Sequence, residues 1–289
     1  MAIVCTGLAG CRTLSSQKPS AQAVTTCRQL TQQGISAMER GDWSRAESLL
    51  ARAVQTSKVD ADARRHYAET LCHRGAMQEA LVQWEEARRL TGEDPALAVR
   101  TGEAYLALGQ VDHASQRVDD ALRLDPKFAP AWTLRGRVAS AAGQSRQALS
   151  DYQRAQSYAP DDHELALLIA EAYRQLNEPE RALLALQSLA DSYSPGEEPQ
   201  QVLYLQGLAL SALGRYDDAM RLLAAAAHRD HPTAEILCRL AEAELLAGRI
   251  AEAQTTVQQA LELGPDHAPS RALAARMAMV PAPDTPIRR

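Results

Sequence analysis

The sequence predicts an all-α fold: a right-handed α-solenoid of about seven helix-turn-helix repeats, closed by a C-terminal capping helix. Two observations predict it. Glycine falls at 41, 75, 109 and 143 and again at 214 and 248, and Asn177 stands in phase between the two groups. The step is 34 residues throughout except for one step of 37. Small and bulky residues also recur at fixed offsets from these turns. A fixed period of this size marks helical pairs that cannot bury an apolar face alone and therefore stack on their neighbours.

Counted from fourteen residues before each turn, the repeats start at Cys27, Ala61, Pro95, Ala129, His163, Gln200 and Ala234. Position 8 is Gly34, Ala68, Gly102, Gly136, Ala170, Gly207 and Ala241. Position 20 is alanine in every copy, from Ala46 to Ala253, and position 27 is alanine in all but one, where Leu189 stands. Small residues there let two antiparallel helices approach closely. Position 24 is bulky throughout (Leu50, Trp84, Val118, Tyr152, Leu186, Leu223, Val257) and is expected at the seam where one repeat meets the next. Positions 4, 8 and 11 share one face of a first helix; 20, 24, 27 and 28 share one face of a second. The glycine or asparagine at position 15 ends the first helix in a left-handed conformation. Prolines close the second helix (Pro126, Pro160, Pro265) or open the next one (Pro95), where no internal hydrogen bond is lost. The apolar content of 46% suffices for a stacked core, and because aromatics are only 4%, with Phe128 the one phenylalanine, alanine and leucine must carry it.

This pattern closely resembles the tetratricopeptide repeat family. Repeat four matches it through Trp132, Gly136, Ala148, Tyr152, Ala155 and Pro160, and repeat three through Gly102, Tyr105, Gly109, Ala114, Ala121 and Pro126. Repeat five departs most: Asn177 replaces glycine, Leu189 replaces alanine, and extra residues follow near Ser194, Pro195 and Gly196. That segment reads either as a bend between two halves or as a loop insertion that leaves the stack unchanged. The solenoid is expected over residues 27–280, with a capping helix at 269–280 and a disordered tail at 281–289.

The first residues read as a shortened signal segment. Leu8-Ala9-Gly10-Cys11 resembles the bacterial lipobox, in which the chain is cut before the cysteine and the thiol carries diacylglycerol. The resemblance implies lipidation at Cys11, and Arg12 after it implies the outer membrane in a Gram-negative cell. Residues 12–26, rich in Ser, Thr and Gln, suit a flexible tether. No Lys or Arg precedes Arg12, unlike an ordinary secretory segment. A chance match would leave a cytoplasmic protein. No apolar run is long enough to span a bilayer.

Chemistry is sparse. The five cysteines show no CxxC spacing, and no GxSxG, HExxH, P-loop or GxGxxG is present. His228 and His231 fall in a repeat-to-repeat turn without a helical-spaced partner, so no metal or other cofactor is expected. Repeats fill nearly the whole chain, so neither catalysis nor a small-molecule substrate is expected. The net charge of −5 disfavours nucleic acid.

The family resemblance implies a partner surface instead. In that family the first helices line a concave groove, faced by positions 2, 5, 6, 9, 12 and 13. Carried over, this points to Arg65, His66, Glu69, His73, Arg100, Glu103, Arg137, Glu171, Arg174, Gln175, Tyr204, Arg239 and Glu242. Arginine and tyrosine suit binding hot spots because each combines area with directed hydrogen bonds. An ordinary mixed-charge helix face would look similar. The lysine–asparagine clamp of chaperone-binding relatives has no counterpart, since the lysines are 18, 58 and 127 and Asn177 is in a turn. A grip on peptide carboxylates through Arg65, Arg100 and Arg137 is the arginine version. The expectation is therefore a non-enzymatic adaptor of the bacterial cell envelope, held to a membrane by lipid alone and binding a peptide or protein. The alternatives are a cytoplasmic scaffold or an accessory subunit of a separate enzyme.

Overall fold

The computed structural model describes residues 20–278. Cys11 and its lipobox, most of the tether assigned to 12–26, residues 279–280 of the capping segment and the 281–289 tail lie outside the described residues. Within them the chain forms fifteen α-helices and no strand. They are α1 (Ala21–Glu39), α2 (Trp43–Thr56), α3 (Ala61–His73), α4 (Met77–Thr91), α5 (Pro95–Ala107), α6 (Val111–Leu124), α7 (Ala129–Ala141) and α8 (Ser145–Tyr158). There follow α9 (His163–Gln175), α10 (Pro179–Ala190), α11 (Gln200–Ala212), α12 (Tyr216–Arg229), α13 (Ala234–Leu246), α14 (Ile250–Leu263) and α15 (Ala268–Ala278).

The helix ends follow from local chemistry. Ser20 accepts a hydrogen bond from the Ala23 N–H at 3.2 Å and so starts α1 at Ala21. Residues 21–26 are therefore helical, where the sequence suggested tether. The turn glycines hold φ between 72° and 83°, and Asn177 adopts the same left-handed conformation at φ 58°. Asparagine tolerates this region better than other non-glycine residues, which explains why repeat five keeps its turn.

The chain divides into two compact units between Gln110 and Val111. In the first, Cys27, Leu30, Ala53 and Ala63 join α1, α2 and α3. Further along, Ala68, Leu71, Ala80, Trp84, Leu97 and Ala104 join α3, α4 and α5. In the second, successive clusters run from α7 to α15. Trp132, Ala148, Tyr152 and Leu165 bind α7, α8 and α9. Cys238, Val257, Leu273 and Met277 seat α15 on α13 and α14.

Positions 8 and 24 pack closely against each other inside a hairpin. A methyl group added at Gly34 would stand 2.6 Å from Leu50, and one at Gly207 would stand 2.6 Å from Leu223. At Gly136 it would run into the Tyr152 ring. Position 24 also reaches the next repeat: Trp84 shares a cluster with Leu97, and Leu223 shares one with Leu240. One bulky side chain thus closes its own hairpin and the seam to the following one.

The insertion in repeat five occupies the loop between α10 and α11. The Arg229 guanidinium, from the end of α12, donates to the Gly196 carbonyl and meets the Glu198 carboxylate at 3.3 Å. Ala170, Leu186 and Leu205 form one cluster across α9, α10 and α11, so the hairpins stay packed through the insertion.

Two of the buried groups in the second unit are carboxylates. Asp151 is 2% exposed and accepts from Arg135, whose guanidinium lies 4.0 Å from the Trp132 ring centroid. Arg154 covers the same ring at 4.5 Å. Glu244, in α13, is 8% exposed, and one of its carboxylate oxygens lacks a hydrogen-bond partner. Burial first, then the charge of Glu252, pushes its carboxyl above the usual glutamate range. A raised carboxyl favours folding while protonated, and that advantage is lost as pH rises from the unfolded glutamate value of about 4.3. Glu244→Gln is therefore expected to raise Tm at about pH 8 and to leave it unchanged near about pH 4, read by thermal melts at both values.

Candidate functional site

The first helices α3, α5, α7, α9, α11 and α13 carry all the residues singled out for the groove. One face of each helix is buried against its neighbours, and the named residues lie half-buried or exposed on the other. Positions 5 and 6 are not open in every repeat: Val99, Leu134, Leu205 and Cys238 stand there and are buried.

In the first unit, Arg65 pairs with Asp62 at 3.2 Å and the His66 ring meets Glu69 at 3.2 Å. Arg100 pairs with Glu103 at 3.1 Å. Burial works to raise the Glu69 carboxyl, but the His66 bond and the charges of Arg65 and Arg100 outweigh it and hold it below the usual range. Arg65, His66, Glu69 and Arg100 thus share one electrostatic neighbourhood. His73 is engaged elsewhere: its ring stacks on Trp43, centroids 3.9 Å apart and planes 11° apart, at the start of α2.

In the second unit, Arg137 pairs with Glu164 across α7 and α9. Arg174 holds Glu171 through two bonds of 2.7 and 2.6 Å, and the Gln175 amide donates to the same carboxylate at 3.4 Å. Tyr204 donates to Glu235 at 3.2 Å. Arg239 lies between Glu235 at 2.8 Å and Glu242 at 3.0 Å. Burial works against the Arg239 charge, yet the bonds and charges of these two carboxylates push its pKa up. Glu235 shows the reciprocal effect: burial raises it, and Arg239, Tyr204 and His267 pull it below the ordinary range. Burial, then Glu235, raises the Tyr204 phenol.

Between α9 and α11 these positions open into a cleft of about 240 Å³, lined by Glu164, Leu167, Leu168, Glu171, Gln201 and Leu205. Three leucines line it, with the Glu164 and Glu171 carboxylates beside them. Glu164 and Glu235 complete this face and were absent from the sequence-based selection. Both stand at position 2, so the repeat register itself contained the signal. His267 was not legible in that way. It stands at position 34 of repeat seven, between α14 and α15 and outside the groove positions, and bonds Glu235 at 3.0 Å and Ser270 at 2.7 Å.

The arrangement is suited to binding. Each guanidinium on this face is already satisfied by a carboxylate, which holds it rigid and leaves part of its surface open; Arg174 is 45% and Arg239 37% exposed. Among the described residues no group of three His, Cys, Asp or Glu side chains is placed to hold a metal, and no helix is long and apolar enough to cross a membrane.

Family models described as tetratricopeptide repeat match residues 31–95, 133–197 and 210–277. Tetratricopeptide repeat protein 33 of Xenopus laevis is 30% identical over 95 residues, which cover 33% of this chain and 37% of that protein. The match therefore spans little more than a third of that relative's length. A tetratricopeptide repeat protein from Parabacteroides merdae has the same fold with a TM-score of 0.69 at 15% identity, over 88% of this chain and 99% of that one. YrrB, described as a tetratricopeptide repeat protein with an unusual peptide-binding site, aligns with a TM-score of 0.54 at 19% identity, over 68% of this chain and 98% of its own.

Proposed function

Because this chain belongs to the tetratricopeptide repeat family, we propose that it is a non-enzymatic scaffold whose first-helix face holds a peptide or protein partner beside a bacterial cell-envelope membrane. The observation that carries the binding mode is the cleft between α9 and α11. Every side chain that lines it stands at position 2, 5, 6 or 9 of its repeat. Leu167, Leu168 and Leu205 offer an apolar seat; Arg137 and Arg174, paired with the cleft's Glu164 and Glu171, supply directed polar contacts beside it, and Tyr204 and Arg239 add others on α11 and α13. The peptide-binding description of YrrB agrees with this reading. Arg65 and Arg100 extend the same set of groove positions in the first unit.

Leu168→Glu combined with Arg174→Ala places a charge in the cleft and removes the guanidinium that pairs with its Glu171. Affinity capture from membranes is expected to lose the partner with this variant, by about tenfold or more in recovered complex. Undiminished capture, with far-UV circular dichroism unchanged, overturns the binding mode.

For localisation, the lipobox-like Leu8–Cys11 and Arg12 support a lipid anchor on Cys11, in the outer membrane of a Gram-negative cell. Two or more buried acyl chains hold a protein firmly, each methylene contributing about 0.8 kcal/mol. Labelling cells with a clickable palmitate is expected to mark the native protein and to leave Cys11→Ser unmarked. Unlabelled native protein that stays in the aqueous phase on detergent partitioning identifies a cytoplasmic scaffold instead.

A further inference from the structure

The second-helix side of the second unit holds a larger cavity, of about 600 Å³, between α8, α9 and α10. We propose that it is a second docking site, taking a peptide segment that presents an apolar side chain next to a lysine or arginine. It is separate from the first-helix cleft: α8 and α10 are second helices, and α9 contributes positions 1, 4, 7 and 11 rather than 2, 5, 6 and 9.

The departures of repeat five converge here. Leu189, the one large residue at position 27, lines the cavity, and the lengthened loop contributes Ser192. Tyr193 from the same loop closes one end by bonding the His163 ring at 2.8 Å. The floor is apolar, built from Ile169, Ala185 and Leu189 with the Tyr173 ring beside them. Gln153 donates to the Tyr173 hydroxyl at 3.1 Å and fixes that ring. At the rim Leu184 is 68% exposed and adds apolar surface to that floor.

The charge at the rim selects the occupant. Arg181 is neutralised by Glu178 at 3.0 Å and its guanidinium faces the Tyr173 ring at 5.9 Å. Asp162 is committed to capping α9 through the Glu164 N–H at 2.9 Å. Asp161 is exposed beside it, with no salt bridge or side-chain hydrogen bond of its own among the described residues. The uncompensated charge is therefore negative, and it stands next to an apolar floor. A segment with leucine-like bulk followed by a cation satisfies both, and one with an acid in that place meets repulsion.

Two fluorescein-labelled peptide pools test this, one with Leu-Arg fixed at the centre and one with Leu-Glu, titrated against the full chain by fluorescence anisotropy. The Leu-Arg pool is expected to bind about tenfold tighter or better. Asp161→Arg is expected to remove that preference, and Ser188→Trp, at an exposed position lining the cavity, to abolish binding of the Leu-Arg pool. The first-helix variant Leu168→Glu is expected to leave both results in place. Equal binding of the two pools, or a preference that survives Asp161→Arg and Ser188→Trp, overturns the proposal. Binding lost in Leu168→Glu but kept in Ser188→Trp assigns the pool to the first-helix face and equally rejects the cavity. Failure here leaves the first-helix reading standing, because that reading is tested by capture of its own partner.

Discussion

Leu223→Ala is expected to destabilise the second unit by about 3–4 kcal/mol. The side chain is fully buried, in a cluster with Ala182, Leu210, Met220 and Leu240 drawn from α10, α11, α12 and α13. Its opposite number within the hairpin is Gly207, which has no side chain to move into the space. A void so framed collapses poorly, so the loss of transfer free energy and the cavity term add. Because stability in stacked repeats is a sum of neighbour interfaces, the damage spreads through α10 to α13 first. Hydrogen exchange should show amide protection falling there, and urea unfolding followed by circular dichroism should give the total. A loss below about 1 kcal/mol would contradict the packing described for position 24.

Gly136→Leu produces the opposite fault. The Tyr152 ring occupies the place where the new side chain begins, and Tyr152 is only 3% exposed. Backbone helix and ring must separate, at a cost of about 3 kcal/mol, the upper part of the range for overpacked cores. Burial also pushes the Tyr152 phenol up to about 12, so the ring sits where water does not replace it. Tyr152→Ala on its own opens a void, but in the Gly136→Leu background it makes room. The double variant is expected to be more stable than the sum of the single losses allows. Thermal melts of the four chains measure that coupling, and strict additivity would show that the two positions do not meet.

The fold was legible because one physical constraint recurs. Position 20 must be small where helices cross, and Ala46, Ala148 and Ala253 are all fully buried. The turn at position 15 needs a left-handed residue, and Asn177 could be placed in phase with the glycines for that reason. The candidate site was legible only in part. Register alone places Arg174, Tyr204 and Arg239 on an open face, but not the carboxylates that hold them. It also could not show that His73 is drawn onto Trp43, since ring stacking between repeats depends on side-chain rotamers. Repeat phase does not report His267, whose position 34 is outside the groove set, nor the cavity beside α10, which depends on how an inserted loop packs against its neighbours.

The two guanidiniums that cover Trp132 carry a practical consequence for spectroscopy. The chain has three tryptophans, at 43, 84 and 132, and none follows. One is stacked on a histidine, one is buried, and the third is enclosed by cationic groups. Intrinsic emission will therefore report on the early hairpins and on α7, α8 and α9, while α10 to α15 melt without an indole to signal it. A fluorescence trace that lags the ellipticity trace would mark separate unfolding of the dark segment.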